Sequence, residues 1–421
     1  MNSEKFDIFV ALDGPVLNGW EGPAGVLRVR NFSDDTHETK IKFFDGVAGA
    51  HAVQINKEGT IGFLGGVARC GIFFDTQTLE EIKRFSTSNF GPIEVTYESQ
   101  THVVFIQEKV FITAVRGHFY KFNLDDLESP EDLGEHGCSL PHAIKLSPSG
   151  RYLFYGIMDT CNKGWARQFG IFDLQEKDDA KKVKIVHIDD TAWHFSTHPT
   201  EDLIYAVSEC YDPQPGIGNI PFDFNNFSIG YRKNFIWKID GRTGKELKKI
   251  VIAANLPSHL TSDVVVIGDE NDTVIYNSCA SSTITIAEFK TYKVKHIEER
   301  VGWLYALFHP GIFRAAWMNL LEAFTRIHMF GNFHALIRAL RVSRGSLLDG
   351  SYGLLLSPDK KYIYSCHRGL NQIIVYDYAT WKVHKRIKLP PARNFFKGYF
   401  GLFYDPRLGM HHAYLSTKSA R

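Results

Sequence analysis

A two-strand unit recurs along this chain and restricts the possible folds more than any other feature. Its clearest copy is Leu140 to Gly156, Leu-Pro-His-Ala-Ile-Lys-Leu-Ser-Pro-Ser-Gly-Arg-Tyr-Leu-Phe-Tyr-Gly. Ile144 and Leu146 alternate as one strand, Ser-Pro-Ser-Gly turns the chain, and Tyr152 to Tyr155 return as a second. Ser351 to Ser365 is nearly the same text, and His51–Leu64 and Trp193–Val207 are clear relatives. Weaker copies open near Ile93, Asp263 and Phe400, which makes seven units. A hairpin of this size cannot bury both faces alone, so seven of them predict an all-β, seven-bladed β-propeller.

The third and fourth strands of each blade follow from the same phase. Gly71–Asp75, Tyr120–Leu124, Gly170–Leu174, Phe235–Asp240, Thr285–Phe289 and Ile374–Tyr378 read as third strands. Basic stretches such as Lys245–Ile252 and Lys382–Leu389 read as outer strands, where lysine protects an exposed edge. Asp173, Asp240 and Asp377 end third strands and suit Asx turns. Phe6–Leu12, Gly25–Arg30 and Lys40–Phe44 precede the first full blade, so N- and C-terminal strands are expected to share the last one and close the ring.

The repeats argue for a single propeller domain spanning 1–421. Two segments break the period. Cys210–Lys233 is a long Pro/Gly-rich loop in blade four. Residues 302–345, between blades five and six, carry a helical stripe of Phe313, Trp317, Leu320, Phe324 and Ile327 with five arginines against one acid. That helical insert reads as a lid on the channel or as a peripheral membrane contact.

Lys+Arg 48 against Asp+Glu 47 leaves no overall field that would attract nucleic acid. Six scattered cysteines form no Cys-x-x-Cys pair, and the first residues lack a basic start with a long apolar run. A reducing, cytoplasmic setting with free thiols is therefore expected. Cys161, Cys210, Cys279 and Cys366 fall near the ends of second strands and read as packed thiols.

Aligning the hairpins gathers His51, Ile93, His142, Trp193, Asp263, Tyr352 and Phe400 at the openings of inner strands, with Glu94 and His194 one step on and His259 in the loop before Asp263. Arg69, Glu209, His367 and Arg368 leave second strands toward the same mouth. Histidine titrates near neutrality, so His51 and His142 suit general acid–base work, with Arg368, Glu209 or Arg69 assisting at an anionic transition state. Trp193, Tyr352, Phe400, Asp263, Arg69 and Glu94 would then shape a pocket for a mostly apolar small molecule. This reading needs no cofactor. A second gathers His51, His142, His194 and His259 around iron or copper, although strand alternation turns His194 away from His142 unless a bulge re-aims it. His411 and His412, on the closing strand, read as structural. A third reading has no chemistry, because propellers also serve as interaction platforms.

The hairpin Pro141-His-Ala-Ile-Lys-Leu-Ser-Pro-Ser-Gly-Arg-Tyr-Leu resembles the repeat of the lactonase-like and streptogramin-lyase-like (YVTN-type) seven-bladed propellers, most clearly over residues 141–156 and 352–389. The resemblance implies that fold and small-molecule work at the channel mouth, as a lyase, isomerase or cyclase using histidine, arginine and glutamate. His142 and His51 stand in the matching register. The four-histidine set is similar to the iron centre of carotenoid-cleaving propeller oxygenases, which would imply oxygenase chemistry on an apolar substrate.

Overall fold

The computed structural model describes residues 6–12, 23–31, 37–47, 50–66, 70–86, 102–115, 117–138, 140–159, 167–208, 234–252, 261–278, 283–299, 351–368, 370–391 and 408–418. These form seven four-stranded antiparallel sheets, the blades of a propeller. The inner strands are Ala50–Ile55, Val104–Phe105, Leu140–Leu146, Phe195–Thr197, Thr261–Val266, Ser351–Leu356 and Met410–Ser416, in blades one to seven. The inner strands of blades two and seven thus differ from those expected to begin at Ile93 and Phe400, two residues that lie outside the described ones. Blade seven joins Met410–Ser416 to Phe6–Leu12, Ala24–Asn31 and His37–Phe44.

The turn chemistry explains why the hairpins of blades three and six read alike. Ser147 Oγ accepts from the Tyr152 amide at 3.0 Å, and Ser357 Oγ accepts from the Tyr362 amide at 2.9 Å. Gly150 and Lys360 occupy the same left-handed turn position, at φ 73° and 58°. Asp173, Asp240 and Asp377 make the expected Asx turns, accepting from the amides of Gln175, Arg242 and Thr380.

Blades pack face to face through apolar side chains. Between blades one and two, Phe63, Phe73, Phe85, Phe111 and Phe122 form one cluster, with Phe73 and Phe111 4.8 Å apart between ring centres. Phe119, Tyr155 and Phe172 do the same between blades two and three. Each such ring buries a large apolar area and fixes the angle between neighbouring sheets.

Among the described residues the single helix is the one-turn Asp179–Lys182, before the outer strand of blade three. No helix among them is long and apolar enough to cross a membrane. The segment 302–345 and the loop 210–233 lie outside the described residues, as do Cys161, Cys210 and Cys279, while Cys366 is buried.

Candidate functional site

Five of the seven inner strands share an irregularity at their openings. The ladder shifts between Ala50 and Ala52, Pro141 and Ile144, Thr261 and Asp263, and Ser351 and Gly353. It shifts again where Val10 and Leu12 face Ala413 and Met410. The residues left over are His51, His142 with Ala143, Ser262, Tyr352, and His411 with His412. A bulge releases a residue from pairing, bends the strand and re-aims the side chain. Here it supplies the channel with imidazoles from blades one, three and seven.

Two more histidines arrive without a bulge. His102 and His194 stand just before the inner strands of blades two and four, so strand alternation does not bind them. His194 therefore faces the cluster after all, its ring centre 4.8 Å from that of His142. Blade three also presses on this corner. A Cβ added to Gly156 would lie 2.3 Å from the Trp193 carbonyl oxygen, so only glycine admits this approach beside His194.

The six imidazoles form one compact set. His51 Nε2 and His142 Nε2 are 2.9 Å apart, and His194 Nε2 and His412 Nε2 are 3.2 Å apart. One ligand nitrogen from each of His51, His102 and His142 falls within 4.8 Å of the others, and the same holds for His51, His411 and His412. Among the described residues, His51 Nδ1, His102 Nε2 and His411 Nδ1 are buried with no hydrogen-bond partner. Each such atom costs on the order of 1–3 kcal/mol, and native proteins leave few of them.

Burial pushes the imidazole of His51 down to about 3, with the neighbouring charges of His194 and Arg368 adding to it. Burial, then adjacent imidazoles, hold His102, His142, His411 and His412 well below the usual histidine range. At neutral pH these five rings carry no charge.

Other sequence-derived candidates surround the set. The Trp193 ring centre is 6.0 Å from that of His142. Tyr352 lies 4.7 Å from His411, and the Arg368 guanidinium sits 5.0 Å over the Tyr352 ring. Asp263 lines a channel cavity of about 400 Å³ together with His102, His194, His412 and Lys145. Arg69, Glu94, Glu209, His259 and Phe400 lie outside the described residues. Sequence reasoning missed His102 and took His411 and His412 as structural. The available signal was a histidine at the opening of an apolar inner strand, as at His51, His142 and His194.

No family model matches the chain, and no curated protein matches it. Solved structures do match. A protein of Bacteroides fragilis NCTC 9343 provisionally assigned as a 6-phosphogluconolactonase is 12% identical, with 99% of each chain covered and a TM-score of 0.56. Another with the same assignment, from Bacteroides uniformis ATCC 8492, is 12% identical over 98% of this chain and all of its own, at a TM-score of 0.54. The chain is a seven-bladed β-propeller similar in fold to these lactonase-like propellers.

Proposed function

We propose that the histidine set is a transition-metal centre and that the protein is a metal-dependent enzyme for a small molecule reaching it through the channel. The observation that carries this is the close approach of imidazole nitrogens, 2.9 Å for His51 and His142 and 3.2 Å for His194 and His412. Two nitrogens bound at about 2.0–2.1 Å to one ion stand about 2.9–3.4 Å apart at the angles metals prefer. Buried nitrogens on His51, His102 and His411 that find no partner among the described residues support the same reading, since a metal would satisfy them.

His51, with His102 and His142 or with His411 and His412, would hold the ion. Imidazole donors suit iron, copper, zinc and nickel, and a bound ion would supply Lewis acidity or, for iron and copper, redox chemistry. Around it, Trp193 walls His142 from one side. Arg368, braced on Tyr352, offers fixed positive charge beside His411. An acid–base pair is less well supported, because burial keeps His51 neutral at neutral pH and so leaves no imidazolium there to act as the acid.

Copper(II) loading tests this. Stripped protein titrated with Cu(II) is expected to give an electron paramagnetic resonance spectrum split by several equatorial nitrogens, simplified in His51→Ala and His142→Ala. A spectrum of weakly held, oxygen-ligated copper, unchanged by both substitutions, would defeat the proposal.

A further inference from the structure

Below the histidines the channel holds one charged group with no evident partner. Lys145, on the inner strand of blade three, lines the cavity of about 400 Å³, and its Nζ lies 5.8 Å over the Phe195 ring. Among the described residues it makes no hydrogen bond and no ion pair. Asp263 lines the same space, yet its carboxylate is held to the wall. Oδ1 accepts from the Val264 amide at 2.9 Å, and Oδ2 accepts from the Leu354 amide of blade six at 3.1 Å. Asp263 thus ties two blades together and leaves the ammonium group facing the cavity.

The remaining lining is mixed. Val53, Val104, Phe105, Ile144 and Phe195 supply apolar wall, and His102, His194 and His412 close one side. An ammonium facing such a cavity is stabilised by anions, hydrogen-bond acceptors or aromatic faces; among the described residues Phe195 supplies an aromatic face, and Asp263 supplies charge through space without a direct contact. The volume is at the small end of the range for ligand pockets, about 300–1,000 Å³.

We infer that the channel takes a small carboxylate with an apolar body, its carboxylate paired with Lys145 and its body against Phe195 and Phe105, so that the rest of the molecule faces the histidines. This deepens the metal-enzyme reading and rests on it for what the histidines then do. The subsite itself is the lysine's. Burial also lowers the Lys145 pKa, an effect that Asp263 partly offsets and that a bound carboxylate would offset further.

Calorimetric titration of the full-length protein with acetate and benzoate, and with the uncharged acetamide and benzamide, tests the assignment while metal content is measured on the same samples. Benzoate is expected to bind at least about tenfold more tightly than benzamide and to weaken as salt rises. Lys145→Gln is expected to remove that preference without changing metal content, and Lys145→Arg to keep most of it. Equal binding of benzoate and benzamide, no binding of either carboxylate, or an unchanged preference in a folded Lys145→Gln would overturn the subsite. Protein that takes up no metal but retains Lys145-dependent benzoate binding would remove the metal centre and leave the carboxylate subsite standing. Loaded protein indifferent to carboxylates would do the reverse.

Discussion

Single residues in this propeller are asked to hold positions that cost free energy, and Glu299 is the clearest. It is buried between blades five and six, where Ser365 Oγ donates to Oε2 at 3.1 Å and Tyr376 OH donates to Oε1 at 2.8 Å. Burial outweighs these donors and raises its carboxyl to about 7 from an ordinary 4.5. A carboxyl that binds its proton more tightly when folded favours the folded state at low pH. That contribution is lost as pH rises from about 4.5 through 7. Glu299→Gln should therefore match the wild type at pH 5 and exceed it at pH 8, by up to roughly 3 kcal/mol in denaturant titrations. Equal pH profiles would refute the assignment. Gly150 is a simpler case. It sits at φ 73° with open space where a Cβ would go, so Gly150→Ala should cost about 1 kcal/mol from backbone conformation alone. Thermal or chemical denaturation measures it.

At the scale of elements, the hairpin is what the sequence displays most openly. Ser147 and Ser357 close their turns identically, and the Asx turns at Asp173, Asp240 and Asp377 mark where third strands stop. The site was only partly legible, and for identifiable reasons. Blade two has an inner strand of just two residues, Val104–Phe105, too short to show alternation, so His102 gave no phase. Blade seven pairs its inner strand with Phe6–Leu12 from the other end of the chain, so no turn follows His411 and His412. His194 looked misdirected because alternation was applied one residue before the strand begins. Bulges re-aim His51, His142, His411 and His412, and period-two reasoning cannot see them. Gly156→Ala tests the fit that positions blade four. Its methyl group would meet the Trp193 carbonyl oxygen at 2.3 Å, so we expect about 1–3 kcal/mol of destabilisation and weaker metal retention through a displaced His194. Unaltered stability and metal content would show that this contact does not matter.

The whole molecule depends on a ring in which blade seven is built from both chain ends. Met410–Ser416 packs against the inner strands of blades six and one and contributes two of the six histidines. Truncation after Leu408 should therefore broaden chemical unfolding, lower its dependence on denaturant and abolish metal retention together. Sharp, wild-type unfolding of the truncated chain would contradict this. The ring also explains how histidines from five blades, separated by as much as 361 positions between His51 and His412, come together in one cluster. That convergence is the central claim, and elemental analysis of the purified full-length protein, before and after incubation with iron, copper and zinc, tests it most directly. Roughly one equivalent or more of one of these ions is expected per chain, lost in folded His51→Ala/His142→Ala protein. Wild-type protein that retains none of the three, or a double variant that retains as much as the wild type, would contradict it and return the channel to acid–base chemistry or to none.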